Sequence, residues 1–109
     1  MARLRSDIVI AAILRRAQSA GVSAVLRRRG AGEAGAIFIS VDYLDGRSDL
    51  YGPAPPQMDE VDDGMRRFDR ILSAVSGLEV NDRMGREVKF DSDLWWVEIE
   101  DRKGRHFVD

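Results

Sequence analysis

There is no cysteine in this 109-residue chain, which excludes disulfides, thiolate nucleophiles and cysteine-ligated zinc. Histidine occurs once, at His106, and a single imidazole builds no zinc site. Proline is confined to Pro53, Pro55 and Pro56. Long apolar runs are missing too: nothing approaches the ~18–20 residues that a membrane span needs. The stretch from Ile8 to Leu14 is short and runs into Arg15 and Arg16 with no small-residue cleavage site. No export signal is read, so a cytoplasmic protein with no membrane association is expected.

What is present is a hydrophobic fraction of 44% and a charged fraction of 33%, the balance of a folded domain. A chain of this length predicts one domain over 1–109, large enough for a core without staples. A Pro-rich and acidic connection interrupts it at about 53–64. Net charge is −2, but residues 1–35 carry +5, residues 36–64 carry −6 and residues 65–109 carry −1. Fifteen of the seventeen basic residues are arginine, whose planar fork suits carboxylates and phosphates. The bias reads either as internal Arg–carboxylate pairing or as a basic face for an anionic partner.

Along the chain, Ser6 reads as an N-cap, with Asp7 in the first turn. Ile10, Ile13, Leu14 and Ala17 fall on one helical face, and Gly21 ends that helix. Val22 to Arg29 reads as a strand. Ala36 to Tyr43 is the clearest strand, alternating strictly through Ile37, Ile39 and Val41. Asp45-Gly46 signals a hairpin into a third strand over 49–52, and the three strands predict an antiparallel meander. Val61, Met65, Phe68, Leu72 and Val75 recur at steps of four and three, which predicts a helix over 59–76 behind the acids Asp59, Glu60, Asp62 and Asp63. Gly77 is expected to stop it, and Asn81 to cap a further helix carrying Val80, Met84 and Val88. Leu94 to Asp101 is a strand with Trp95, Val97 and Ile99 inward, and His106 to Val108 closes a last hairpin. The fold class is therefore α+β: an antiparallel sheet of four to five strands with an N-terminal helix and a central helical pair packed on one face.

Gly30-Ala31-Gly32-Glu33-Ala34-Gly35 is a literal G-x-G-x-x-G after a strand. The dinucleotide fingerprint needs a helix next, so that a pyrophosphate meets its N-terminus. Here a strand pattern follows, and a hairpin loop is the expected reading. Arg27-Arg28-Arg29 is the densest basic run. Alternation sends Arg27 and Arg29 to one face, where they pair with Glu98 and Glu100 or contact phosphate alongside Arg3, Arg5, Arg15 and Arg16. Trp96, beside acids, suits a protein partner better than RNA. Asp91, Asp93, Glu98, Glu100 and Asp101 lack calcium-loop spacing. No catalytic, cofactor-binding or metal-binding residue is assigned, and no cofactor is expected.

The segments Arg3–Ile8, Arg27–Gly30, Glu33–Phe38, Asp49–Ala54, Phe90–Trp95 and Glu98–Arg102 resemble an alphaproteobacterial family catalogued as domain of unknown function 1491. The resemblance spans nearly the whole chain and implies a free-standing bacterial protein of about this length. It brings no activity, cofactor or functional residue with it.

Three functional expectations follow. The first is a non-catalytic protein-interaction module, pairing with a copy of itself or with another protein. The partner-binding residues would be Arg15, Arg16, Arg27, Arg28, Arg29 and Trp96. The second is a nucleic-acid or ribosome-associated binder using those arginines. The third is a small-ligand-binding protein or enzyme, which requires an arginine, Tyr51, His106 and carboxylates to converge on one pocket.

Overall fold

The computed structural model describes residues 4–55 and 66–109. Arg3, the acidic run from Asp59 to Asp63 and most of the Pro-rich connection lie outside the described residues. The element order is α1 (Ser6–Ser19), β1 (Ser23–Arg28), β2 (Ile37–Asp42), β3 (Ser48–Pro53), β4 (Phe68–Val75), α2 (Gly77–Phe90) and β5 (Trp95–Glu100). The strands form one sheet in the order β1-β5-β2-β3-β4, with β2 and β5 parallel and every other pair antiparallel. The α+β class stands. Among the described residues no helix is long and apolar enough to cross a membrane.

Burial explains the strand order. Trp95, Trp96, Val97 and Ile99 leave β5 apolar on both faces, and β2 is buried from Ile37 to Val41. Doubly buried strands belong in the middle of a sheet. β1 alternates exposed and half-buried positions and takes an edge, where charged side chains are tolerated. The expected meander is therefore split, with β5 inserted between β1 and β2.

The helices pack on opposite faces rather than one. Ile10 and Ile13 of α1 join Ile37, Ile39, Val41, Trp95, Val97 and Ile99 in one core cluster. Val80 and Met84 of α2 join Phe38, Leu50, Leu94 and Trp96 in the other. With side chains alternating along β2 and β5, both faces carry large apolar groups and each needs its own helix.

Over the described residues the central helical pair is the strand β4 followed by one helix, and Val61 and Met65 of the expected first helix lie outside them. Pairing between β3 and β4 shifts register twice, between Ser48 and Leu50 and between Leu50 and Tyr51, so β4 carries extra residues. These bulges stretch the strand period of two into steps of three and four that imitate a helix. Phe68 in fact packs toward α1 while Leu72 and Val75 pack toward α2. Gly77 opens α2 rather than stopping a helix, and Ser76, not Asn81, caps it by accepting from the Glu79 N–H at 3.1 Å. Ser6 lies just inside α1. Its hydroxyl donates to the Gly35 carbonyl at 2.6 Å, tying the helix start to the glycine-rich loop. The chain after β5 turns at Asp101–Gly104 and forms no strand.

Candidate functional site

The arginines singled out in the sequence do not gather on one face. A register shift between Leu26 and Arg28 breaks the alternation of β1. Arg27 lies 4.2 Å from the centroid of the Trp96 ring and pairs with Glu98 at 2.7 Å, on the α2 side. Arg29 lies 5.3 Å from the Trp95 ring, which faces α1. Arg28 donates to the Ser92 carbonyl at 2.8 Å. Arg15 and Arg16 are exposed on α1, where Arg16 reaches the Phe107 carbonyl at 2.9 Å. Trp96 is only 9% exposed, and its indole N–H donates to the Ser40 hydroxyl.

A different set of residues converges. β3 presents Tyr51 toward α1, β4 brings Arg70 beside it, and the segment after β5 returns with Arg105, His106 and Phe107. With Gly104 and Asp109 they line a cavity of about 400 Å³. The His106 ring meets Tyr51 edge-on at 4.9 Å between centroids, and the Arg70 guanidinium lies 5.6 Å from the Tyr51 ring. The Val108 N–H donates to His106 Nδ1 at 3.2 Å, which leaves Nε2 as the ring's donor.

Asp49 anchors the wall of this cavity. It is 1% exposed, accepts from the Tyr43 hydroxyl at 2.5 Å and from the Ala74 N–H at 2.8 Å, and lies 3.9 Å from Arg70 Nε. The bulged β4 supplies that N–H: Ala74 has a φ of 54°, and Phe107 (58°) and Leu44 (63°) share this left-handed geometry. Ala74 donates to Asp49, Leu44 follows Tyr43 in the hairpin turn, and Phe107 follows His106 on the cavity lining. Strained non-glycine backbone persists only where its surroundings over-determine it, and it concentrates at functional sites. The hydrogen bond from Tyr43 to Asp49 raises the phenol above its usual range, and Tyr51 with Asp49 raises the Arg70 guanidinium.

Asp101 fixes Arg105. Its Oδ2 accepts from the Arg105 N–H and Nε and its Oδ1 from the Lys103 N–H and Arg105 Nη2. The Arg105 bonds foremost, with the backbone donors, hold the carboxyl at about 2, below its ordinary 3.8. A depressed carboxyl pKa stabilises the fold above the unfolded value and ceases to do so as pH falls through the folded one. Acid titration of unfolding should therefore show a loss on the order of 1–2 kcal/mol from this group between about pH 4 and pH 2. Asp101→Asn should lack that component, and an unchanged acid profile would contradict the assignment.

The sequence points to Tyr51 and His106 as members of such a site. It does not point to Arg70, because the periodicity places that residue on a helix. Asp49 opens a strand in the sequence pattern, and no sequence signal marks its burial. Among the described residues no group of three or more His, Asp or Glu is placed to hold a metal ion.

The pattern of the family described as "Protein of unknown function (DUF1491)" matches residues 4–109. The chain belongs to the DUF1491 family. It is 44% identical to a protein from A. tumefaciens whose solution structure covers 90% of this chain and is itself covered over 86%, with a TM-score of 0.79. A DUF1491 crystal structure from Caulobacter crescentus is 33% identical, with coverage of 95% and 91% and a TM-score of 0.79. An NMR structure of a DUF1491 protein from the same organism is 35% identical, with the same coverage and a TM-score of 0.78. Among curated proteins nothing matches this chain.

Proposed function

We propose that this DUF1491 protein is a small-ligand-binding protein whose site is the cavity between β3, β4 and the segment after β5. The observation that carries the reading is the convergence of Tyr51, Arg70, Arg105 and His106, from separate parts of the chain, on one space of about 400 Å³. The space is a solvent-open groove, and a concavity on which a few polar groups converge beside aromatic side chains shares that feature with small-molecule sites. Protein-observed NMR against a set of small metabolite-like compounds tests it. Saturable shifts confined to the amides of Tyr51, Arg70 and 104–109 support the reading, and a set producing none overturns it.

A protein-interaction module, self-pairing or with another protein, is the second reading. It rests on Phe90 at the end of α2, a residue 93% exposed, whose apolar surface a partner would take out of water. Sedimentation at several protein concentrations tests the self-pairing form, and a strict monomer throughout removes it. The nucleic-acid reading has less support. Arg27 is engaged by Glu98 and Trp96, Arg28 by a backbone carbonyl, and the sequence pI is about 5.4.

A further inference from the structure

The geometry points to a ligand class for this cavity: a small molecule with an aromatic or flat apolar body that carries one oxyanion, carboxylate or phosphate. The inference rests on the small-ligand reading above and adds the chemistry of the occupant.

Apart from Asp109, the polar side chains of the lining, Tyr51, Arg70, Arg105 and His106, all carry hydrogen-bond donors. Arg70 and Arg105 offer only N–H groups. His106 has its Nδ1 lone pair occupied by the Val108 N–H, so Nε2 is the nitrogen left to face a ligand, as a donor. Tyr51 adds a hydroxyl. Donors converging on one space call for an acceptor-rich group, and charge-assisted bonds from arginine to an oxyanion are the strong ones. Neither arginine is consumed by its carboxylate. Asp101 takes Nε and Nη2 of Arg105 and leaves Nη1 outside those bonds. Asp49 already accepts from Tyr43 and Ala74 and stands 3.9 Å from a half-exposed Arg70. An incoming oxyanion can engage Arg70 without orphaning Asp49.

The remaining lining sets the body of the ligand. Tyr51, His106 and Phe107 are aromatic, with the Arg70 and Arg105 guanidiniums 5.6 and 5.0 Å from the Tyr51 and Phe107 ring centroids, and the space is several times that of a bare phosphate, so a flat group has aromatic edges and the His106 ring to pack on. Asp109 is the one carboxylate side chain on the lining, and among the described residues no ion pair holds it. It repels an anion brought too close, and so favours a single oxyanion over a polyanion.

Four matched probes test the class by NMR titration: benzoate, phenyl phosphate, benzylamine and benzyl alcohol. Saturable shifts at Tyr51, Arg70 and 105–107 with benzoate, phenyl phosphate or both, and weaker ones with the other two, support the inference; which anion binds identifies the oxyanion. Arg70→Gln should weaken the anion at least about tenfold, the loss of one charge-assisted bond, while Asp109→Asn should tighten it several-fold. Both residues are on the surface of the cavity, and an unchanged dispersion of amide signals confirms that each variant folds. Binding by benzylamine or benzyl alcohol without either anion would overturn the oxyanion class and leave the small-ligand reading standing. Anion binding indifferent to Arg70→Gln would also overturn it. Silence from all four probes and from the wider compound set would overturn both.

Discussion

Alanine at Gly30 or at Gly35 is expected to lower stability by about 3 kcal/mol or more, whereas alanine at Gly32 should change it by no more than about 0.5 kcal/mol. The three glycines belong to one loop, so the contrast is specific. A Cβ at Gly30 would collide with the carbonyls of Asp93 and Leu94, and one at Gly35 with the Asp93 carbonyl and the Trp95 ring. These are mostly backbone atoms at the entrance to β5, which cannot swing aside as a side chain can. The loop is held there by the Ala31 N–H to Asp93, the Trp95 N–H to Ala36 and the Trp95 indole to the Ala31 carbonyl. Gly32 meets nothing within 4 Å. Thermal unfolding should place Gly30→Ala and Gly35→Ala at least about 10 °C below the parent, and melting within about two degrees of it would refute the close approach of this loop to the start of β5.

Asp49→Ala is the second substitution with a large expected effect, a loss of about 2–4 kcal/mol. Two donors, the Tyr43 hydroxyl and the Ala74 N–H, would lose their acceptor in a place where Asp49 is 1% exposed, and an unsatisfied buried donor costs about 1–3 kcal/mol. Asp49→Asn retains one carbonyl oxygen and should cost less. Denaturant unfolding measures both, and a loss under about 1 kcal/mol for the alanine variant would show that the two donors find water instead. A second readout separates the contact from general damage. Because the bond to Asp49 raises the Tyr43 phenol, that group stabilises the fold below the unfolded value near 10, and the contribution disappears as pH rises through the folded value. Stability of the parent should therefore fall on the alkaline side. In Asp49→Ala the decline should flatten, and ultraviolet titration should find Tyr43 ionising at lower pH.

β4 is where the sequence pattern misleads, and the bulges are the reason. A strand with two extra residues places its inward side chains at irregular steps. Phe68, Leu72 and Val75 then satisfy a helical template while serving opposite faces of the sheet. The same irregularity creates the site, since the Ala74 N–H of the bulged strand reaches Asp49. In the sequence Arg70 is only one arginine among fifteen. The glycine-rich loop is followed by the strand β2, as the alternation predicts, but it is no hairpin, because β5 lies between the strands it joins.

Local alternation and capping determine much of this protein without tertiary help: α1 up to its left-handed stop at Gly21, the Asp45-Gly46 hairpin, and the inward sets Ile37, Ile39, Val41 and Trp95, Val97, Ile99. These follow from periods of two and 3.6, which each residue shares with its neighbours in the chain. Which strand sits beside which, and which helix covers which face, was decided only by the assembled sheet. The two faces of β5 must both be buried, and that requirement draws it between β1 and β2 and sends α1 and α2 to opposite sides. The cavity of Tyr51, Arg70, Arg105 and His106 arises the same way, from segments that meet through the sheet and not through sequence spacing.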